Sequence, residues 1–284
     1  MATFYNQATL TYNGTSTTSN ITTGELLNVL SVTKTALTDE YTANGNVTYI
    51  INIVNTGTVS FSDITVSDDL GAYTLNQQTR TPLSFVTDSI RYFIKGVLQP
   101  ATSISAGPPL RLTGISIPAG GNAVIVYETT VNQYAPLAED DSIVNIATVS
   151  GDSITTPITA SETVTAGADP TLTISKSLSP LTVTENGQLT YTFVIENTGN
   201  TAADASVNAV ITDTFNPILD NISVVFNGTN WSSPTQYTYN TATGLFQTVA
   251  GQLTVPAATY TQDPTTGVWS VTPGVSTLTV TGTV

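Results

Sequence analysis

Apolar side chains recur at every second position in two stretches of the chain. Val47, Tyr49, Ile51 and Ile53 share one face, and so do Leu189, Tyr191, Phe193 and Ile195. A period of two with an apolar inner face predicts half-buried strands. Each stretch runs into the same turn, Asn55-Thr56-Gly57 and Asn197-Thr198-Gly199, whose residue types favour chain reversal. Elsewhere the apolar runs are short, and none keeps a helical period. The pattern predicts an all-β chain of short strands.

The two stretches belong to a longer repeat. Ser31-Val32-Thr33-Lys34-Thr35 matches Thr173-Ile174-Ser175-Lys176-Ser177, and Asn44 to Tyr49 matches Asn186 to Tyr191, both at an offset of 142 (176 − 34). Ile64 to Asp68 then matches Ala209 to Asp213 after a three-residue insertion. Ile90–Val97 and Ile222–Thr229 read as hairpins with Lys95-Gly96 and Asn227-Gly228 at their tips. Ile117 to Val131 matches Thr272 to Val284. The first copy continues into Ile143 to Gly151 and a further strand near Ile158 to Val164, whereas the second stops at Val284.

A relative of that closing segment stands at the front of the chain. In Met1 to Gly14, Asn6 falls on Asn145, Ala8 on Ala147, Thr9 on Thr148 and Leu10 on Val149. Ile21 to Glu25 falls on Ile158 to Glu162. The expected division is therefore a segment at 1–30 donated to a neighbouring subunit, a complete β-sandwich at 31–168, and an incomplete one at 169–284. Only a few residues separate Leu27 from Lys34, and extended chain spans at most about 3.5 Å per residue. The segment is thus expected to complete the second sandwich of another copy rather than its own.

Composition removes several functions. There is no Cys and no His, so disulfides, thiolate metal sites and Ser-His-Asp or Cys-His hydrolysis are excluded. Six basic residues against a net charge of −14 argue against nucleic acid and anionic membrane. No apolar run approaches the roughly 20 residues of a membrane span. No signal peptide is visible at the N-terminus, so a mature form or another route of release is expected.

These motifs resemble the "conserved repeat" domain found in tandem on bacterial and archaeal surface proteins. The resemblance rests on Lys34 and Lys176 on the first strand, Tyr before the Asn-Thr-Gly turn, Asp68 and Asp213 after the next strand, and Asn145-Ile146-Ala147-Thr148-Val149 on the last, echoed by Asn6 to Leu10. It covers nearly the whole chain. It implies immunoglobulin-like β-sandwiches at a cell or spore surface, with no activity on an external substrate. The chain departs from it in frame, with a last strand first.

Lysine is rare here, with Lys34, Lys95 and Lys176 the full set. Lys95 sits on a hairpin tip and reads as surface charge, but Lys34 and Lys176 repeat at one strand position. The order Lys, acid, Asn is similar to that of isopeptide-bonded pilin and collagen-adhesin domains. An intramolecular bond between Lys34 and Asn145, with Asp68 as the acid, is one reading. Lys176 and Asp213 of one subunit would meet Asn6 of the next in the same way. Burial would supply a neutral amine, and fixed juxtaposition an effective molarity of about 10⁵ M or more. The other reading is a Lys–Asp ion pair with Asn satisfied in its strand, and spacing alone leaves both open.

Other features are weaker. Glu25 and Glu162 match each other and are alternative acids, although a solvated strand position suits them. Asp68-Asp69 and Asp140-Asp141 lack the spacing of a Ca²⁺ loop, and no metal or cofactor is expected. Trp231, Trp269, Tyr237 and Tyr239 suggest a glycan platform or, more simply, core and rim aromatics. Asn13, Asn46 and Asn227 begin glycosylation triplets of a kind a Thr-rich chain yields by chance. The leading expectation is a structural subunit of an extracellular fibre, self-associating head to tail, with any surface receptor undefined. The alternative is an adhesin or spacer module of a longer surface protein. A start at Met1 and a stop after Val284 are expected of the first, and continuing repeats of the second.

Overall fold

The computed structural model describes residues 2–26, 29–100 and 102–284. Apart from a 3-10 turn at Ala205–Val207, the described regular structure is strand. Four short strands, β1 (Ala2–Asn6), β2 (Thr9–Tyr12), β3 (Thr15–Thr18) and β4 (Thr22–Leu26), form one antiparallel hairpin. Here β2 pairs with β3 near the tip and β1 with β4 at the base. Asn13 and Gly14 turn the tip with φ of 47° and 77°, the left-handed pair that a tight hairpin requires.

The first sandwich contains β5 (Leu30–Ala36), β6 (Glu40–Tyr41), β7 (Asn46–Asn55), β8 (Phe61–Asp68), β9 (Tyr73–Leu75), β10 (Gln78–Arg80) and β11 (Leu83–Phe85). It continues with β12 (Arg91–Ile94), β13 (Val97–Leu98), β14 (Ser103–Ser105), β15 (Leu110–Ile117), β16 (Gly121–Val131), β17 (Ser142–Ser150) and β18 (Ile158–Ala166). One sheet runs β13-β12-β16-β7-β5, with β11 also on β16, and the facing sheet runs β14-β15-β8-β17-β18-β6. The alternating residues of β7 point inward as their spacing requires: Val47, Tyr49, Ile51 and Ile53 are at most 1% exposed. They pack with Ile64, Val66, Leu110, Leu112, Ile125 and Val149 in one continuous core.

The second sandwich contains β19 (Leu172–Ser179), β20 (Gln188–Asn197), β21 (Thr212–Thr214), β22 (Asp220–Phe226) and β23 (Thr229–Trp231). After these come β24 (Tyr237–Asn240), β25 (Leu245–Thr248), β26 (Thr259–Gln262), β27 (Trp269–Thr272) and β28 (Gly274–Thr283). Its first sheet, β19-β20-β28-β22-β23, repeats the order β5-β7-β16-β12-β13 strand for strand. Its facing sheet has three described strands, β21-β25-β24. The core between them is separate from the first and is built on Leu189, Tyr191, Phe193, Phe215, Phe246 and Leu278.

The repeated Asn-Thr-Gly turn has a specific cause. Asn55 is buried; its Nδ2 donates to Val59 O (2.8 Å) and Pro118 O (3.1 Å), while its Oδ1 accepts from Gly57 N (2.9 Å). Asn197 does the same with Thr201 O, Pro256 O and Gly199 N. A buried amide with its groups satisfied fixes the turn and ties it to the proline segment ahead of the next strand. The two sandwiches meet through the β26–β27 hairpin. Gln262 Nε2 donates to Tyr73 Oη (2.7 Å), Arg80 Nε to Thr266 O (2.7 Å), and Trp269 N to Gln133 O (3.0 Å).

Ile51 lies at the centre of the first core, opposite Ile125 and Lys34, while its neighbour Ile50 points to the other face. Ile51→Ala is expected to destabilise the first sandwich by about 2–5 kcal/mol, and Ile50→Ala by clearly less. Urea unfolding of the two variants checks this, and equal losses would contradict the inward alternation.

Candidate functional site

The first sandwich buries charge in an otherwise apolar interior. Lys34 lies on β5, an edge strand of one sheet, opposite Ile51. Its side chain points inward and is shielded from solvent. Asp68 ends β8 in the facing sheet, between Leu110 of β15 and Ala147 of β17. Asn145 lies on β17, opposite Glu162 of β18. Asp68 and Asn145 are both 0% exposed. The fold thus brings Lys34, Asp68 and Asn145 of the first copy into one buried cluster spanning both sheets.

The bonds within it form a chain. Lys34 Nζ donates to Asp68 Oδ2 at 2.5 Å. Tyr127, on β16 opposite Tyr49, donates its hydroxyl to the same oxygen at 2.5 Å. Asn145 Nδ2 donates to Tyr127 Oη at 3.4 Å. No direct hydrogen bond joins Asp68 to Asn145, so the phenol stands between the acid and the amide. The other oxygens are held by the turn after β8: Leu70 N donates to Asp68 Oδ1 (3.0 Å) and Gly71 N to Asn145 Oδ1 (3.3 Å). Gly71 has φ of 71°, and a Cβ there would lie 2.5 Å from Ile143 Cγ2, so only glycine brings this N–H to Asn145.

Electrostatics follows from burial. Loss of water pulls the Lys34 amine below its ordinary value of 10.5, against the opposing pull of Asp68. The Tyr127 phenol is pushed well above 10.0, first by burial and then by the Asp68 charge. Asp69 is also raised, chiefly by burial, while its Oδ1 accepts from Ile146 N and Gly71 N at 2.9 Å. The Lys34 ammonium position lies 4.8 Å from the centre of the Tyr49 ring, which stacks on Tyr127 at 5.7 Å. Such a cluster links an amine to a carboxamide through a carboxylate and a phenol, with proton acceptors and donors already in place.

The second copy presents the same pair uncovered. Lys176 of β19 contacts Asp213 of β21, and their side chains are 39% and 18% exposed. Its Nζ lies 4.3 Å from the Tyr191 ring centre. β21 pairs on one side with β25. Its other side, where β17 lies against β8 in the first sandwich, carries no strand among the described residues. Val280 occupies the place of Tyr127, opposite Tyr191 as Tyr127 is opposite Tyr49. Neighbouring positions are bared as well: Val183 is 37% exposed where its counterpart Tyr41 is 3% exposed.

Asn6 is not brought to Lys176 or Asp213. It lies exposed on the hairpin with its backbone opposite Thr22. Phe4, Leu10 and Tyr12, at the positions of Ile143, Val149 and Gly151, are 58%, 65% and 71% exposed. The hairpin's described hydrogen bonds are its own, as in Ser19 N to Ala8 O and Gln7 Nε2 to Ser19 O. Leu27 and Asn28, where the expected donor segment ends, lie outside the described residues.

The remaining sequence candidates disperse. Trp231 packs on Phe226 at 4.8 Å, Tyr237 is buried, Tyr239 bonds to Leu219, and Trp269 sits at the seam between the sandwiches, so these four build no common platform. Asp141 Oδ2 accepts from Ala138 N and closes a turn. Glu162 is half-buried on β18. Sequence reasoning missed Tyr127 because its position reads as one more core residue of an alternating strand, and the repeat places a valine there.

No family model matches the chain, and no curated protein matches it. Among solved structures, it is similar to the collagen-binding domain of a Staphylococcus aureus adhesin, at 13% identity over 49% of this chain and 99% of that one, with a TM-score of 0.31. It is also similar to BcpA, the major pilin subunit of Bacillus cereus, at 11% identity over 95% and 73% with a TM-score of 0.36. A family 123 glycoside hydrolase from Clostridium perfringens gives 11% over 48% and 27%, at 0.30. Likenesses this loose, spread over an adhesin, a pilin and a hydrolase, carry no argument about function.

The two lysine–aspartate pairs differ in burial, and so should their energetics. Asp68→Ala leaves a buried amine without its partner and is expected to cost about 3–5 kcal/mol. Asp213→Ala at the half-exposed pair should cost about 1 kcal/mol or less. Chemical denaturation of both variants checks the contrast, which equal costs would abolish.

Alkali should act on the same sandwich. Tyr41, Tyr49 and Tyr127 all have folded values raised above 10.0 by burial. Above that pH the unfolded chain ionises its phenols while the folded chain keeps its protons, so stability falls as pH rises. Lys34, where its amine is free, works oppositely, adding stability as pH climbs from its lowered folded value towards 10.5, but it is one group against several, because Tyr73, Tyr92, Tyr237 and Tyr260 are raised as well. A urea midpoint at pH about 11 is expected to lie below that at pH about 9; an unchanged midpoint would mean that the phenols are solvated.

Proposed function

We propose that this chain is a structural subunit of an extracellular fibre, joined head to tail by strand donation and locked by lysine–asparagine isopeptide bonds. The observation that carries this reading is the unfilled side of β21 beside the half-exposed Lys176–Asp213 pair. The hairpin whose sequence matches the strands filling that place in the first sandwich holds its apolar side chains in solvent. An unpaired strand edge is a template for a strand from elsewhere. A hairpin on one end and its acceptor on the other give a heterologous contact, which need not close and so extends into a filament.

In the donated arrangement Asn6 takes the place of Asn145, and Phe4, Ala8 and Leu10 those of Ile143, Ala147 and Val149. Asn6 of one subunit then faces Lys176 and Asp213 of its neighbour. Within each subunit, Lys34 and Asn145 form the corresponding bond with loss of one ammonia, stapling strands of the two facing sheets. A staple over a loop this long stabilises chiefly by restricting the unfolded chain. Such a fibre would be covalent along its length. The chemistry is a single turnover on the chain's own side chains and needs no cofactor or metal.

Boiling the assembled protein in detergent tests the reading. Wild type is expected to run as a ladder of multimers. Lys176→Ala and Asn6→Ala should collapse the ladder to monomer, and Lys34→Ala should keep it. Filaments that form normally after deletion of residues 2–14 would rule out donation by the hairpin, leaving a segment beyond Val284 or a different partner to cover β21.

A further inference from the structure

The cross-link reading leaves the proton transfers unassigned, because no hydrogen bond joins Asp68 to the amide that must lose ammonia. We propose that Tyr127 is a catalytic residue of the first site, relaying a proton from Asp68 to the leaving nitrogen of Asn145. This deepens the cross-link reading and rests on it.

The geometry is a continuous path. Lys34 Nζ and Tyr127 Oη both lie 2.5 Å from Asp68 Oδ2, and Tyr127 Oη is the acceptor of the Asn145 Nδ2–H at 3.4 Å. All four side chains are buried, with Asp68 and Asn145 at 0%, Tyr127 at 1% and Lys34 at 4% exposed. Bulk water therefore offers no competing route for the proton. The ring is held between neighbours, stacked on Tyr49, so its hydroxyl is positioned before reaction.

The step balances without a co-reactant. The neutral Lys34 amine attacks Asn145 Cγ, and the developing oxyanion at Oδ1 keeps the Gly71 N–H it already accepts. One Nζ proton passes to Asp68 Oδ2. The Tyr127 hydroxyl proton passes to Asn145 Nδ2, the Cγ–Nδ2 bond breaks, and ammonia departs. Asp68 then returns its proton to the phenolate oxygen. One Nζ–Cγ bond has formed, one Cγ–Nδ2 bond has broken, and Asp68 and Tyr127 end as they began. The raised phenol value keeps Tyr127 protonated at neutral pH, as a donor requires, and the lowered amine value favours the nucleophilic form of Lys34. Val280 stands in this position in the second sandwich, so the relay belongs to the first site alone.

The test is the rate at which the full chain loses one ammonia between Lys34 and Asn145. The chain is made by cell-free synthesis and quenched in acid at intervals; intact mass gives the extent and peptide mapping the position. Tyr127→Phe keeps the ring and removes the relay, and is expected to slow bond formation about 100-fold or more, with β-sheet circular dichroism retained. Should that variant fail to fold, a ring-fluorinated tyrosine at 127 keeps shape and hydroxyl but changes acidity, and the bonding rate should move with it. A Tyr127→Phe chain that bonds at the wild-type rate, or a fluorinated one whose rate does not move, overturns the relay while leaving the cross-link standing. Wild type that never loses ammonia at this site overturns the cross-link reading and the relay with it.

Discussion

A charged pair inside an apolar sandwich is the constraint on which the rest of the first domain depends. Lys34 and Asp68 come from facing sheets and meet where neither side chain reaches water. Removing two such charges from water costs several kcal/mol per ion unless good geometry and further hydrogen bonds offset it. The structure supplies both. Oδ2 of the aspartate takes two donors and Oδ1 takes the Leu70 N–H. The amine also faces the Tyr49 ring. β17 and β18 close the side of the sandwich beside β5 and β8 and so help keep water from the pair. The second sandwich shows the alternative, for there the same pair lies partly in solvent and demands much less of its surroundings.

Much of this architecture was legible in the sequence because period-two burial needs only local information. The faces of β7 and β20 could be read from Val47 to Ile53 and from Leu189 to Ile195, and their buried alternation is what the structure contains. The Asn-Thr-Gly turns were also legible as turns, but not their reason. The amide of Asn55 reaches Val59 and Pro118, and the latter contact is long-range. The lysines stood out because the chain uses so few. Tyr127 did not, since a tyrosine on the inward face of a strand looks like packing until its hydroxyl is seen between Asp68 and Asn145. The β26–β27 hairpin at the seam was missed for a different reason: it is an insertion without a counterpart in the first copy, so the repeat carried no trace of it.

Absence of the phenol from the second site also bears on how the two sites divide their work. In the first, acid, phenol and amide are all supplied by strands of one domain, so the cluster is assembled by folding alone. In the second, Val280 provides only bulk, and Lys176 rests against Tyr191, Phe193 and Phe215 instead. An aromatic bed of this kind stabilises a partly exposed ammonium. On the proposed reading, then, the second site waits for a strand from another copy, whereas the first is complete once its own domain has folded.

The hairpin's own pairing adds a last step. In the first sandwich Asn145 lies opposite Glu162, so the matching pairing of the N-terminal segment would put Asn6 opposite Glu25. The free hairpin instead puts Asn6 opposite Thr22 and Thr3 opposite Glu25. The slip is three residues, an odd number, so the two registers pair β4 with β1 in opposite phase. Register is strongly specified only where one face of a strand is buried, and slips readily where both faces are solvated and polar. The free hairpin lacks the first condition, since neither face is buried: Thr15–Thr18 and the apolar Phe4, Leu10 and Tyr12 alike are exposed. Its free register is therefore a local compromise set by the Asn13-Gly14 turn and by Phe4 lying across Gly24. Burial against β21 and Lys176 would supply the one-sided apolar environment that the free hairpin lacks. Docking would then select the register that points Phe4, Asn6, Ala8 and Leu10 inward together, so that pairing and burial are fixed in the same event.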